Sequence, residues 1–326
     1  MPLARRALLG AAALWPMCHR AQAQAWPERP LRLIVPFPPG GHIDGFARLL
    51  AQPMAARLGQ PVVVENRAGA GGSIGAAEVA HARPDGLTLL MGSNGSLVGN
   101  VLTQANPGFD PFRQLAPIGL CLTLPLTLAV RADDPARSIE DLLTRSRAAP
   151  GSVTCGSAGI GTSNHLALVL FDAATTAGIS HVPYRGTGTM LPDLLAGTIT
   201  CVMDQLGTAL ALARDGKARL LVQTGAHRSP IAPDIPCVAE LGWGEAVFLT
   251  WNGLSVTAAT PAPVQARLAA ILADCLAEPA LGQRMSAVGA EVVAPALMTP
   301  AGFGNFLRAD LERTRRAVQL AGLKPE

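Results

Sequence analysis

Two glycine-rich turns stand out among the residues able to do chemistry. Pro36-Phe37-Pro38-Pro39-Gly40-Gly41-His42-Ile43-Asp44 follows a short buried-strand pattern at residues 31–35. Ser157-Ala158-Gly159-Ile160-Gly161-Thr162-Ser163-Asn164-His165 follows another at 153–157 and adds hydroxyls. In both, a strand hands over to a helix through glycines. Exposed N–H groups and the positive helix end then form an anion site that needs no Lys or Arg. Either turn alone is a weak signal, because such turns are common in α/β proteins. As a pair, one in each half of the chain, they can face each other across a cleft.

Other chemistries fit less well. No GxxxxGK[ST] loop is present, so a Walker nucleotide site is excluded. Gly69-Ala70-Gly71-Gly72-Ser73-Ile74-Gly75 loosely matches a dinucleotide turn, but it follows the second strand, and no acidic residue stands at a strand end about 20 residues on. The same stretch contains GxSxG, yet residues 67–72 separate Ser73 from its strand; a helix N-cap is the better reading for Ser73 than a hydrolase elbow. Ser163, His165 and Asp204 match no triad spacing. Beyond residue 25, Cys121, Cys155, Cys201, Cys237 and Cys275 form no CxxC pair, which rules out a zinc knuckle. Disulfides are open in an oxidising compartment, and small buried hydrophobes are the favoured reading. No metal or cofactor is expected.

The elements around these turns alternate. Strand patterns at 31–35, 61–66 and 87–92 are separated by helical spacing at 46–58 and 74–82; strands at 127–130, 153–157, 181–184, 201–204 and 218–224 repeat the theme with helices at 139–147 and 163–177. Runs apolar on both faces predict parallel α/β sheets in two units. Helices at 263–277, 279–288 and 300–320 complete the chain, each opening near a proline. With 326 residues, 49% hydrophobic and 15% charged, the chain is globular, not disordered, and long enough for about two domains. Aromatics at 4% argue against base-stacking surfaces. The net charge of +3 equals the contribution of Arg5, Arg6 and Arg20, and no acid precedes Trp26; the remainder is neutral and has no bias toward nucleic acid. Arg5-Arg6, the apolar run 7–15 and Ala21-Gln22-Ala23 predict an export signal over residues 1–25, cut near Ala23 or Ala25. Arg5-Arg6 is a weak twin-arginine match and Cys18 a poor lipobox. The expected location is the periplasm.

Taken in order, Pro36-Phe37-Pro38-Pro39-Gly40-Gly41-x-x-Asp44, Gly59-Gln60-Pro61-Val62-Val63-Val64-Glu65-Asn66-Arg67-x-Gly69-Ala70-Gly71-Gly72, Pro84-Asp85-Gly86, His181-Val182-Pro183-Tyr184-x-Gly186 and Trp251-x-Gly253-Leu254 resemble the Bug family. These are TctC-like substrate-binding proteins of tripartite tricarboxylate transporters. The resemblance implies a two-lobed α/β periplasmic binding fold of type II, crossed twice by the chain near residues 122–125 and 247–250. Lobe one would be 26–123 with 248–326, and lobe two 124–247. It implies no enzyme, but a binder of a small organic carboxylate that serves membrane transporter subunits. A sensor subunit for a membrane kinase and, less favoured, a periplasmic hydrolase are the alternatives.

Carried onto this sequence, the resemblance assigns Phe37, Gly40, Gly41, His42 and Asp44 to the site, with Ala70 and Asn94 nearby. From lobe two come Ser157, Gly161, Thr162, Ser163 and His165, with Tyr184, Gly186 and Asp204 at the rim. His42, Ala158 and Gln205-Leu206-Gly207 depart from the family pattern. His42 is expected to contact or shield the ligand and to make affinity pH-sensitive near the ordinary histidine range.

Overall fold

The computed structural model describes residues 26–320 and 322–325; the expected export signal falls outside the described residues. The first half builds β1 (Leu31–Val35), α1 (His42–Leu58), β2 (Val62–Asn66), α2 (Ser73–Ala80) and β3 (Thr88–Ser93). A helical segment at 95–99 leads through α3 (Asn100–Thr103) and α4 (Pro111–Gln114) into the long β4 (Leu115–Arg131). Next come α5 (Ile139–Ala148), β5 (Thr154–Ser157), α6 (Ser163–Thr175), β6 (Ser180–Pro183), α7 (Thr187–Ala196), β7 (Cys201–Gln205), α8 (Leu206–Arg214) and β8 (Ala218–Gln223). The chain closes with β9 (Leu249–Thr257), α9 (Ala262–Leu276), α10 (Pro279–Ser286), β10 (Glu291–Val292) and α11 (Pro300–Leu320).

The parallel pairings foreseen from the alternation are present: β1 lies between β2 and β3, and β5 between β6 and β7. The sheet is nevertheless mixed. β9 runs antiparallel to β3 and to residues 115–125 of β4, while residues 126–131 of β4 run antiparallel to β7 and β8. β4 therefore threads both units, giving the order β2-β1-β3-β9-β4-β7-β5-β6. Only its last part was legible in the sequence. Pro117, Gly119 and Pro125 read as strand breakers, and β4 absorbs the first two through register shifts against β9.

Two packed regions flank this thread. One gathers apolar residues from Leu31 to Leu124 and again from Trp251 to Leu307; the other gathers residues from Leu126 to Phe248. α11 starts on the first with Phe303 and Leu307 and ends on the second with Val318. Trp251 anchors this helix. Its indole Nε1 donates to Asp310 Oδ2 at 2.8 Å, and its ring meets Phe303 and Phe306 edge-on at 5.5 and 5.7 Å. Gly253 makes room, since a Cβ there would stand 2.4 Å from Phe303. All five described cysteines are buried and unpaired, as the hydrophobe reading expects; burial pushes the Cys275 thiol up to about 11. Among the described residues, no helix is long and apolar enough to cross a membrane.

Trp251→Ala should cost about 3–5 kcal/mol of stability, the usual loss for an emptied aromatic site. Urea unfolding measures it, and a loss below about 1 kcal/mol would refute the anchor.

Candidate ligand-binding site

α1, α6 and α7 all begin at one small cavity of about 40 Å³. Gly41-His42-Ile43, Thr162-Ser163-Asn164 and Gly186-Thr187-Gly188 line it, together with Phe37, Ser93, Gln205 and Thr250. The first intrahelical backbone bonds come later: Gly45 N–H to Gly41 O, Leu166 N–H to Thr162 O and Thr189 N–H to Gly186 O. The N–H groups of His42, Ile43, Ser163, Asn164, Thr187 and Gly188 thus have no intrahelical partner. No side chain caps α1 or α7, and Thr162 caps α6 only at His165 N–H. Among the described residues, no Lys or Arg lines the cavity. A wider mouth of about 820 Å³, lined by residues 68–72, Ile160, Tyr184 and Arg185, adjoins it.

Local sequence makes the first turn. Pro38 and Pro39 lack N–H groups and hold the chain extended; Gly40 then takes φ +87°, which favours glycine. Its N–H donates to Asp44 Oδ2 at 3.1 Å, and Asn66 Nδ2 donates to Asp44 Oδ1 at 3.0 Å. Burial alone would raise the Asp44 carboxyl, but Arg48, the Gly40 N–H and Asn66 together hold it below its ordinary value.

Main chains from the two packed regions nearly touch along a glycine seam. A Cβ on Gly99 would lie 1.9 Å from Gly161 O, on Gly95 2.9 Å from Thr162 Cα, and on Gly71 2.9 Å from Ile160 O. A Cβ on Gly186 would lie 2.9 Å from the Pro38 ring, and one on Gly207 2.2 Å from Val288 O. At the inner end Asn94 is fully buried. Its Oδ1 accepts from Ser163 Oγ, Thr250 Oγ1 and Trp251 N–H, each at 3.0 Å.

The expected site residues divide into three groups. Phe37, Gly41, His42, Thr162, Ser163 and Gly186 line the cavity, and Ala70 and Tyr184 line the mouth, where Tyr184 OH donates to Asp193 at 2.7 Å. Gly40, Asp44, Asn94, Gly161 and Asp204 support these from behind. Ser157 and His165 turn away: Ser157 Oγ bonds His181 Nε2 at 2.6 Å, and His165 stacks on His181 at 4.1 Å beside a separate hollow. Ser163, His165 and Asp204 do not combine as a triad. Ser73 is not an N-cap but the first residue of α2, and it donates to Gln104 Oε1. The sequence reading missed Ile43, Ser93, Asn164, Thr187, Gly188, Gln205 and Thr250 as lining residues. Gly186-Thr187-Gly188 ahead of a helix repeats the design of the other two turns and was the signal available for two of them.

The pH expectation for His42 is corrected. His42 Nε2 lies 2.7 Å from Asn252 Oδ1, and burial lowers its pKa to about 4; it stays neutral throughout the ordinary histidine range. Burial likewise lowers His165 to about 3, aided by His181, and His181 to about 4.

Two packed regions joined by crossing strands, with helix starts meeting between them, define the fold of a two-lobed solute-binding protein. The chain belongs to the family described as "Tripartite tricarboxylate transporter family receptor", TctC, whose profile matches residues 46–323. It is 34% identical to Protein BugT of Bordetella pertussis over 93% of this chain and 92% of that one. It is 36% identical to a protein from the tcbD-tcbE intergenic region of a Pseudomonas species, covering 96% and 93%. The periplasmic binding protein BugD superposes with a TM-score of 0.88 at 32% identity, covering 92% of this chain and 100% of that one. MatC of Rhodopseudomonas palustris with bound malate gives 0.85 at 30%, covering 90% and 100%, and an R. palustris protein with adipate gives 0.88 at 30%, covering 92% and 100%. The chain is thus a periplasmic-type solute-binding protein, and the family and its structural neighbours are binding proteins, not enzymes.

Gly99→Ala should prop the seam open. We expect solute affinity to fall by roughly tenfold or more, because binding scales with the fraction in the competent form, while unliganded stability moves by less than about 1 kcal/mol. Unchanged affinity in calorimetry would refute the seam. A second prediction concerns acid. Between pH 6.5 and about 4 the unfolded chain protonates His42, His165 and His181, whereas the folded chain does not. Asp204 opposes them: burial raises it to about 6, so its folded form gains a proton first. The unfolded state still binds about two more protons, and stability should fall by roughly 2.5 kcal/mol per pH unit near pH 5. Flat stability from pH 7 to 5 would contradict this.

Proposed function

We propose that this chain captures a small organic carboxylate in the periplasm and delivers it to the membrane subunits of a tripartite tricarboxylate-type transporter. One observation carries the ligand class: three helix starts, with six N–H groups free of intrahelical partners, meet at a cavity lined by no cationic side chain. Helix N-termini favour anions through both their free donors and their dipoles. Each bond to a carboxylate oxygen contributes roughly 1.5–3 kcal/mol, so about three to five support micromolar binding after ordering costs. The neighbours solved with malate and adipate favour the same class, and the family description favours the transporter partnership.

In this reading residues 26–123 and 248–326 move as one lobe and 124–247 as the other. β4 and β9 flex near residues 122–125 and 247–250, with α11 spanning the joint. Export through the signal at residues 1–25, cut near Ala23 or Ala25, would place the site outside the inner membrane.

A melting-temperature screen of the mature protein tests the ligand class. A fitting carboxylate at about 100 times its Kd should add about 2.7 kcal/mol and raise Tm by roughly 5 °C. Neutral amides of the same acids should not. If no carboxylic acid shifts Tm, the reading is wrong.

A further inference from the structure

Four of the polar side chains around the inner cavity share one polarity. Asn94 Oδ1 is identified as the oxygen by the Trp251 N–H that donates to it. Ser163 Oγ and Thr250 Oγ1 both bond to this oxygen, and Thr250 Oγ1 also lies 2.9 Å from Ser163 Oγ. The protons of both hydroxyls are therefore held inside the trio. Asn252 is oriented the same way: its Nδ2 donates to Gly92 O at 3.2 Å, so its Oδ1 is the acceptor that His42 Nε2–H meets. A neutral imidazole donating at Nε2 carries its lone pair on Nδ1.

Thr187 is held most firmly. Its hydroxyl donates to Asp204 Oδ1 at 2.9 Å, and Asn164 Nδ2 donates to the same oxygen at 3.1 Å. Asp204 is fully buried, and its Oδ2 has no hydrogen-bond partner among the described residues. An ionised carboxylate only accepts, and a buried one with an unpaired oxygen is already under-satisfied. Turning the Thr187 proton toward the cavity would remove one of its two side-chain donors. Thr187 Oγ1 therefore shows the cavity lone pairs.

The wall thus divides: donors come from the backbone at the three helix starts, and acceptors from His42, Ser163, Thr187 and Thr250. A carboxylate satisfies only the first set. We propose that the ligand carries a hydrogen-bond donor, a hydroxyl or an ammonium group, beside its carboxylate, and that Thr187 Oγ1 receives it. Thr187 is then the specificity-determining residue and Asp204 the positioning residue that fixes its polarity. The inference rests on the carboxylate reading above.

The test titrates the mature protein calorimetrically with three matched sets: propionate, lactate and alanine; succinate, malate and aspartate; glutarate, 2-hydroxyglutarate and glutamate. In the set of fitting length, a donor-bearing acid should bind roughly tenfold or more tighter than the bare acid. The hydroxy and amino members show which donor is read. Thr187→Val keeps the shape and removes the acceptor, and should bring that ratio close to one. Asp204→Asn, whose amide can donate to Thr187 Oγ1, should narrow it too. Bare acids that bind as tightly as their partners overturn the donor requirement and leave the carboxylate reading standing. A Thr187→Val that weakens every member equally overturns its role in specificity. Failure of all nine acids to bind overturns the carboxylate reading and this proposal with it.

Discussion

The site depends on how closely two backbones approach. Gly99 packs so tightly on Gly161 O that a methyl group would occupy the carbonyl's space, and Gly95, Gly71, Gly186 and Gly207 repeat the condition along one seam. Helix starts offer strong anion-binding geometry only when water is kept from them and the donors converge. Side chains at these positions would hold the three helix starts apart. The glycines on the seam, more than those in the turns themselves, bring α1, α6 and α7 to one cavity.

The charges near this cavity are arranged to stay few. Among the described residues no cation lines it, three nearby histidines are neutral through burial, and of the two carboxylates behind it Asp44 is paired with Arg48 while burial raises Asp204 to about 6. A resident Lys or Arg would attract an organic acid but would need a counter-ion whenever the site is empty. Backbone donors avoid that cost, because their dipoles are fixed and carry no net charge. Another ion-pair group lies away from the cavity: Arg32 of β1 bonds Glu65 of β2 and Glu78 of α2.

Around this seam the rest of the chain is continuous. β4 runs unbroken through the region where the two packed halves meet, β9 begins there at Leu249, and α11 rests on both halves. Strands can twist and bend without losing their pairing, which is the property that the proposed movement of the two lobes requires. Trp251, at that joint on β9, ties the strand to α11 through Asp310 and to the cleft through Asn94.

The sequence by itself determined the alternating elements, the two glycine turns and the family pattern, because hydrophobic period and turn chemistry are local. Phe37, Gly41, Thr162 and Ser163 were legible for that reason. Tertiary structure alone decided which members of each turn face the cavity. Ser157 and His165 share a turn with Thr162 and Ser163 yet point to His181, since direction within a turn is set by what packs beside it. It also decided the path of β4, whose prolines and glycine look like breakers until β9 lies alongside to take up the register shifts. The neutrality of His42 and the polarity of Thr187 come from burial and from partners 210 and 17 residues away, and no local pattern encodes a partner that only folding brings near.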